Sequence, residues 1–198
     1  MFKVLVLLSA LAGGPQPGTL LAQGYIQGQP YTFEARSLPL VSPLTKKRII
    51  LEDVAAGSFV DLLTTAAQDG LHIEVNYGYR SHQEQKNVKR WMSARGKGNL
   101  VARPGWSTHE SGLSVDIKGC LTFVSDERLE ASSKLKKSVL KWHKMGACER
   151  VDTGYQCKTE LYWWLRKNAP RFGFYNDVES EPWHWTYDSP PGPIEVGG

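Results

Sequence analysis

Cysteine is scarce in this chain of 198 residues. Only Cys120, Cys148 and Cys157 occur, so at most one intramolecular disulfide can form. No apolar run reaches the roughly 20 residues that a membrane-spanning helix needs. Neither charge dominates: 24 Lys and Arg against 20 Asp and Glu leave a formal net charge of +4. That mild basicity favours an anionic partner without singling out nucleic acid, and no nucleic-acid-binding motif is present. There is no internal repeat. The length suits one domain with a real core and falls short of two ordinary ones. Apolar residues at 41% and charged residues at 22% place the chain among ordinary globular proteins.

The N-terminus reads MFKVLVLLSALAGG. One lysine precedes a short apolar run, and Ala10-Leu11-Ala12 forms a small-x-small site. This is the layout of a secretory leader, with cleavage after Ala12 or after Ala22. The competing reading is a first β-strand. The expectation is a leader and linker over residues 1–22, a folded domain over residues 24–198, and export to the periplasm or cell exterior. No cysteine follows the apolar run, which argues against a lipid anchor. Cys148 and Cys157 flank a Gly-containing turn that suits a disulfide in an exported protein. Reduced, buried thiols are the alternative.

Residues 13–24 are Pro/Gly-rich and read as a linker. Over Asp53 to Gln68, Val54, Phe59, Leu62, Leu63 and Ala66 line one broad helical face, and Gly70 follows as a C-terminal stop. LHIEVNY alternates as a half-buried strand over residues 71–77. Ser81 and Glu84 make an S-x-x-E capping box, so a helix should start at Ser81, with Arg80 at the strand-to-helix corner. Leu113, Val115 and Ile117 alternate as another strand. Residues 126–144 read as helical, Thr159 caps a further helix, and EPWHWTY, residues 181–187, is the last strand with Pro182 at its start. Helices and strands mix without regular βαβ alternation. The prediction is α+β, a single domain with a central, mainly antiparallel sheet flanked by helices.

His109, Asp116 and His184 could form a metal site of two imidazoles, one carboxylate and an open fourth position, which suits catalytic zinc. Seven residues separate His109 from Asp116, so one straight strand would point them to opposite faces. Ser111-Gly112 between them permits a turn. Glu181, beside His184 and not a ligand, would serve as general base. The His-x6-Asp spacing by itself is a weak signal, because many chains contain it by chance. A loop histidine bonded to a carboxylate, a turn aspartate and a histidine satisfied among aromatics explain the same residues.

Three motifs occur in order: Tyr79-Arg80-Ser81, then Ser107-x-His109-x-x-Gly112-x-x-x-Asp116, then Glu181-x-Trp183-His184. Together they resemble the zinc D-Ala-D-Ala peptidase family, which includes the vancomycin-resistance-type D,D-carboxypeptidases and D,D-dipeptidases, over residues 24–187. The resemblance implies a Hedgehog/D-Ala-D-Ala-peptidase-like fold and one zinc ion held by His109, Asp116 and His184. It implies Glu181 as general base and Arg80 as stabiliser of charge on the scissile carbonyl. Ser107 and Gln85 match substrate-contacting positions, although local capping also explains both, and Trp183 should pack beside the site. The implied substrate is a peptidoglycan stem peptide ending in D-Ala-D-Ala, cut by a monomeric, exported D,D-carboxypeptidase. A D,D-dipeptidase, a peptidoglycan endopeptidase and a non-catalytic zinc-bearing binding module are the alternatives. The chain departs from the pattern at Ser114, where the family often has Ala or Val. It departs again over Gly119 to Thr159, a divergent and long region containing a lysine-rich stretch, residues 134–144, that reads as a solvated helix face or as a lid or arm for anionic wall polymer.

Overall fold

The computed structural model describes residues 20–188. The expected leader lies outside the described residues up to residue 19, as do residues 189–198 of the expected domain. The chain runs β1 (Leu20–Ile26), β2 (Gln29–Val41), β3 (Arg48–Glu52), α1 (Asp53–Gln68), β4 (Glu74–Tyr77), α2 (His82–Ser93), β5 (Ser114–Lys118), β6 (Leu121–Ser125), α3 (Asp126–Glu130), α4 (Ser133–Lys144), β7 (Cys148–Val151), β8 (Gly154–Lys158), α5 (Glu160–Asn168), β9 (Phe174–Tyr175) and β10 (His184–Tyr187). Short 3-10 turns lie at Gly98–Leu100, Thr108–Ser111 and Ala169–Phe172.

The strands form three sheets, ordered β1-β2-β3, β4-β5-β10-β9 and β6-β8-β7. Every pairing is antiparallel. The four-stranded sheet is the expected central one, and the two three-stranded sheets are additions to that expectation. Its buried face packs on α1 and α5. Phe59 and Leu62 of α1, Leu165 of α5, Val115 and Ile117 of β5, Phe174 of β9 and Trp185 of β10 meet in one core. Each large side chain buried there contributes roughly 1.5–3 kcal/mol. No described helix is long and apolar enough to cross a membrane.

Helix α1 has the expected limits. Its end is set by Gly70, whose φ of 78° is open to a residue without Cβ. Val54 is a correction: it is exposed, and Ala55 and Ala56 take the buried face beside Phe59. The linker reading also fails over residues 20–24. They belong to β1, and Leu20, Leu21 and Ala22 pair with Ala35, Glu34 and Phe33. Helical structure over residues 126–144 is broken, because the Ser132 hydroxyl accepts from Leu135 N–H and starts a new helix. The last strand is shorter than expected, with residues 181–183 preceding it as a turn.

The third sheet, with α3 and α4, buries a separate cluster of Val124, Leu129, Val139, Cys148 and Cys157. Cys148 and Cys157 face each other in the β7–β8 register and form a disulfide, while Cys120 is free and buried. Thr159 N–H donates to Cys120 O at 3.1 Å, and the Thr159 hydroxyl donates to Gly119 O at 2.7 Å. The chain therefore leaves and re-enters the main core at one place.

Candidate active site

The site forms where β5 and β10 pair. Asp116 and His184 are direct register partners although they are 68 residues apart in sequence. His109 reaches them from the Thr108–Ser111 turn. Gly112 then adopts φ 76°, reversing the chain into β5. That reversal cancels the odd seven-residue spacing which would otherwise send His109 and Asp116 to opposite faces.

His109 Nε2 lies 3.3 Å from Asp116 Oδ1, and His184 Nδ1 lies 3.1 Å from the same oxygen. One ligand atom from each residue falls within 4.8 Å of the others. The remaining ring nitrogens are occupied. His109 Nδ1 is 2.8 Å from Gly78 O, which accepts its proton and leaves the Nε2 lone pair facing inward. His184 Nε2 is 3.1 Å from the Thr108 hydroxyl and 3.2 Å from that of Thr186. Each imidazole is thus oriented by its second nitrogen, as metal-binding histidines are. Burial alone would raise the Asp116 carboxyl, yet hydrogen bonds from His109 and His184 hold it far below the usual carboxylate range. Burial alone would lower His184, yet its hydrogen bond to Asp116 raises it above 6.5. Two imidazoles and one ionised carboxylate, at these separations, are a donor set suited to zinc.

These groups lie in a groove of about 1190 Å³, lined also by Arg80, Gln85, Ser107, Glu181 and Trp183. All eight residues singled out from sequence therefore reach one groove. Arg80 sits at the corner between β4 and α2, with its N–H donating to His109 O at 3.0 Å. Its guanidinium stands over the Tyr77 ring at 5.1 Å and donates to Gln85 Oε1 at 2.9 Å. Ser81 caps α2 with both halves of the expected box. Gln85 is fully buried, and its Nε2 donates to Ala102 O at 2.9 Å. Both ends of that carboxamide are engaged by the protein. Trp183 flanks the groove, partly exposed. Glu181 is held through its backbone: its carbonyl accepts from His184 N–H and from Asn176 Nδ2, both at 2.9 Å.

Sequence reasoning passed over several supporting residues. Glu110 is completely buried and accepts from Gly105 N–H at 2.8 Å and Ser107 N–H at 3.4 Å. Its other oxygen lies 2.7 Å from His82 Nδ1, and the His82 ring stacks on Tyr25 of β1 at 4.1 Å. A second S-x-x-E pattern, Ser107 to Glu110, signalled that clamp. Thr108, Asn176 and Thr186 carried no such signal. Strand β1 also buttresses the site, since Gln23 O accepts from the Tyr79 hydroxyl at 2.7 Å. Ser114, the departure beside Asp116, is buried and hydrogen-bonded to Thr186 at 2.9 Å.

Two curated relatives, both D-alanyl-D-alanine carboxypeptidases, come from Enterococcus faecalis (strain ATCC 700802 / V583) and Enterococcus faecium. They are 27% and 26% identical over 150 and 155 residues, or 64% and 73% of this chain. The matches cover 44% and 39% of their own lengths, so the chain spans under half of each relative. Among solved structures, a variant of the vancomycin-resistance D,D-pentapeptidase VanY from a VanB-type cassette, in complex with Zn(II), aligns with TM-score 0.50 and 25% identity over 82% of either chain. VanYB in complex with D-alanine-D-alanine shares the fold, with TM-score 0.50 and 23% identity over 83% of this chain and 84% of its own. Residues 48–190, which include every residue of the groove named above, match the family described as VanY, D-alanyl-D-alanine carboxypeptidase. With the ordered motifs, the antiparallel fold and the His-Asp-His site all in place, the chain belongs to the VanY family of D-alanyl-D-alanine carboxypeptidases.

Proposed function

We propose that the protein is a zinc-dependent D,D-carboxypeptidase that hydrolyses the terminal D-Ala-D-Ala bond of peptidoglycan stem peptides. The observation that carries this reading is the convergence of His109, Asp116 and His184 at a groove that also presents Arg80 and Glu181. His109 Nε2, an Asp116 oxygen and His184 Nδ1 would hold the zinc ion. When bound, zinc supplies Lewis acidity and makes water a nucleophile near neutral pH. Glu181 takes the proton from the attacking water and returns it to the leaving amine. Arg80 donates to the oxygen of the scissile carbonyl as charge develops on it. Gln85 holds the guanidinium in place, and Ser107 receives the substrate's terminal carboxylate.

An open groove suits a stem peptide better than the free dipeptide, which a small closed pocket would serve. We also propose that the chain acts as a monomer and is exported. The leader-like N-terminus and the Cys148–Cys157 disulfide support an oxidising compartment.

The test is incubation of zinc-loaded protein with a pentapeptide ending in D-Ala-D-Ala, free D-Ala-D-Ala and a cross-linked muropeptide, read by mass spectrometry. Release of one D-Ala from the pentapeptide is expected. Cleavage confined to the dipeptide or the cross-link would replace the carboxypeptidase reading with a dipeptidase or an endopeptidase. Zinc binding without turnover of any of the three would leave a binding module. Glu181→Ala should retain zinc and lose about 10²–10⁴-fold in rate, whereas His109→Ala should lose zinc. A fully active Glu181→Ala sinks the mechanism.

A further inference from the structure

One wall of the groove has a charge composition unlike the rest of the chain. Between Gln85 and His109 there are six Lys and Arg and no Asp or Glu. Among the described residues, Lys86, Arg90, Arg95, Lys97 and Arg103 are exposed and none forms an ion pair. Two of them stack on tryptophans of the groove wall. The Arg95 guanidinium lies 3.8 Å from the Trp91 ring centroid and that of Arg103 lies 3.8 Å from the Trp106 ring centroid. Both tryptophans line the groove and are about half exposed.

This wall is braced from behind. Lys89 Nζ donates to Gly98 O at 2.8 Å and Val101 O at 2.7 Å, and Gln85 holds Ala102. The loop after α2 is therefore tied to the helix, and the guanidiniums are presented on a fixed aromatic base. The wall formed by residues 177–183 is opposite in sign, with Asp177 and Glu181 facing the groove. An anionic chain entering the groove is attracted along the first wall and repelled by the second. Arg95 Nη1 donates to Trp91 O at 3.0 Å, and stacking leaves its other guanidinium N–H groups and those of Arg103 at the ring edge, able to bond carboxylates, while the ring adds apolar contact.

We propose that the α2 wall, through Arg95 on Trp91 and Arg103 on Trp106, binds carboxylate side groups of an acidic peptide whose D-Ala-D-Ala end lies at the His109-Asp116-His184 site. This rests on the peptidase reading and adds a substrate preference to it: peptides with free carboxylates are favoured over the same peptides amidated.

The test pairs two peptides ending in D-Ala-D-Ala that differ only in carrying Glu or Gln in the acyl part. Binding to the zinc-loaded protein is followed by intrinsic tryptophan fluorescence, and turnover is followed separately. At low salt the Glu peptide should bind about three- to tenfold tighter, the range that one or two exposed ion pairs supply. The preference should collapse near 1 M salt, where the screening length falls to about 3 Å. Arg95→Gln/Arg103→Gln should abolish it while leaving kcat on the Gln peptide unchanged. Lys134→Gln/Lys137→Gln on α4 should preserve it.

Equal binding of the two peptides at low salt would overturn the proposal, whether or not they are cleaved. A preference in binding without cleavage would uphold the acidic-peptide wall and count only against the peptidase reading. A glycerol-phosphate polymer that binds this wall more tightly than the Glu peptide would overturn the assignment to a peptide.

Discussion

Replacing Gly112 by alanine tests how the metal ligands are brought together. Gly112 has φ 76°, a region that costs a residue with Cβ about 1–2 kcal/mol. Its Cβ would also lie 2.8 Å from two Phe33 ring atoms and 3.0 Å from Glu52 N. The backbone contact cannot simply retreat, because Glu52 N–H donates to Gly112 O at 2.9 Å. Overpacking of this kind adds about 1–3 kcal/mol. The sum, roughly 2–5 kcal/mol, corresponds to a fall in Tm of about 4–20 °C for a domain of this size. Gly70→Ala is the comparator. Gly70 has φ 78°, but nothing lies within 4 Å of its added Cβ, so only the conformational cost applies. Thermal unfolding of both variants in chelator gives the stability difference, and competition with a chromophoric chelator gives zinc affinity. Gly112→Ala should lose more stability than Gly70→Ala and bind zinc more weakly, since His109 and Asp116 lie on either side of the reversal. Equal losses with unchanged zinc affinity would refute the reasoning.

Zinc must displace a proton from His184, whose folded value lies above 6.5. The raised value stabilises the metal-free fold below pH 6.5, and that contribution is lost as pH rises through the folded value. Displacement of that one proton should therefore lower zinc affinity by up to about tenfold per pH unit below the folded value, whereas Asp116 remains ionised throughout; isothermal titrations between pH 5 and 8 measure the slope. Arg80→Lys keeps the charge and loses the planar fork held by Gln85, so kcat should fall about 10²–10³-fold, as for loss of an oxyanion donor, with zinc content unchanged by atomic absorption. Glu110→Ala frees Gly105 and Ser107 N–H and should raise KM more than it lowers kcat in steady-state assays, while Glu110→Gln recovers part of the loss. Burial pushes the Cys120 thiol up to about 12, so thiol titration at pH 8 should find none reactive in the folded protein, one after unfolding and all three after reduction.

Much of the fold was legible because its cues are local. The limits of α1, the Ser81 capping box and the Thr159 cap follow from side chains within four residues of the structure they create. The metal ligands were legible from ordered motifs, and Gly112 between His109 and Asp116 hinted at how an odd spacing closes. Strand β1 was legible only in part: residues 24–26 fall in the stretch 24–41, which reads as short strands broken by turns, whereas residues 20–23 read as linker. Its exposed Leu20 and Leu21 show no buried alternation, and its pairing depends on β2 rather than on its own pattern. The hydroxyls that orient the ligand His184 were hidden for a similar reason. Thr108 acquires its role only when β10 brings His184 beside it, a contact spanning 76 residues, and Thr186, two residues from His184, acquires its own once β10 pairs with β5 and the Ser114 hydroxyl meets it. Glu181 was read inside a strand because EPWHWTY alternates, but Pro182 and the Asn176 bonds hold it in a turn. That turn frees its side chain from the two-face constraint of a strand.

The contact between Cys120 and Thr159 gives the third sheet a particular status. Residues 121–158 form a detour that begins and ends at one doorway, with its own small core and its own covalent staple. Such a segment behaves as an insertion, which can be exchanged or shortened while the parent scaffold keeps its connectivity. A two- or three-residue turn joining Cys120 to Thr159 should leave β5 and α5 in register and the metal ligands in place. The detour can therefore vary in size and surface charge among descendants of this architecture while the His109-Asp116-His184 geometry stays the same.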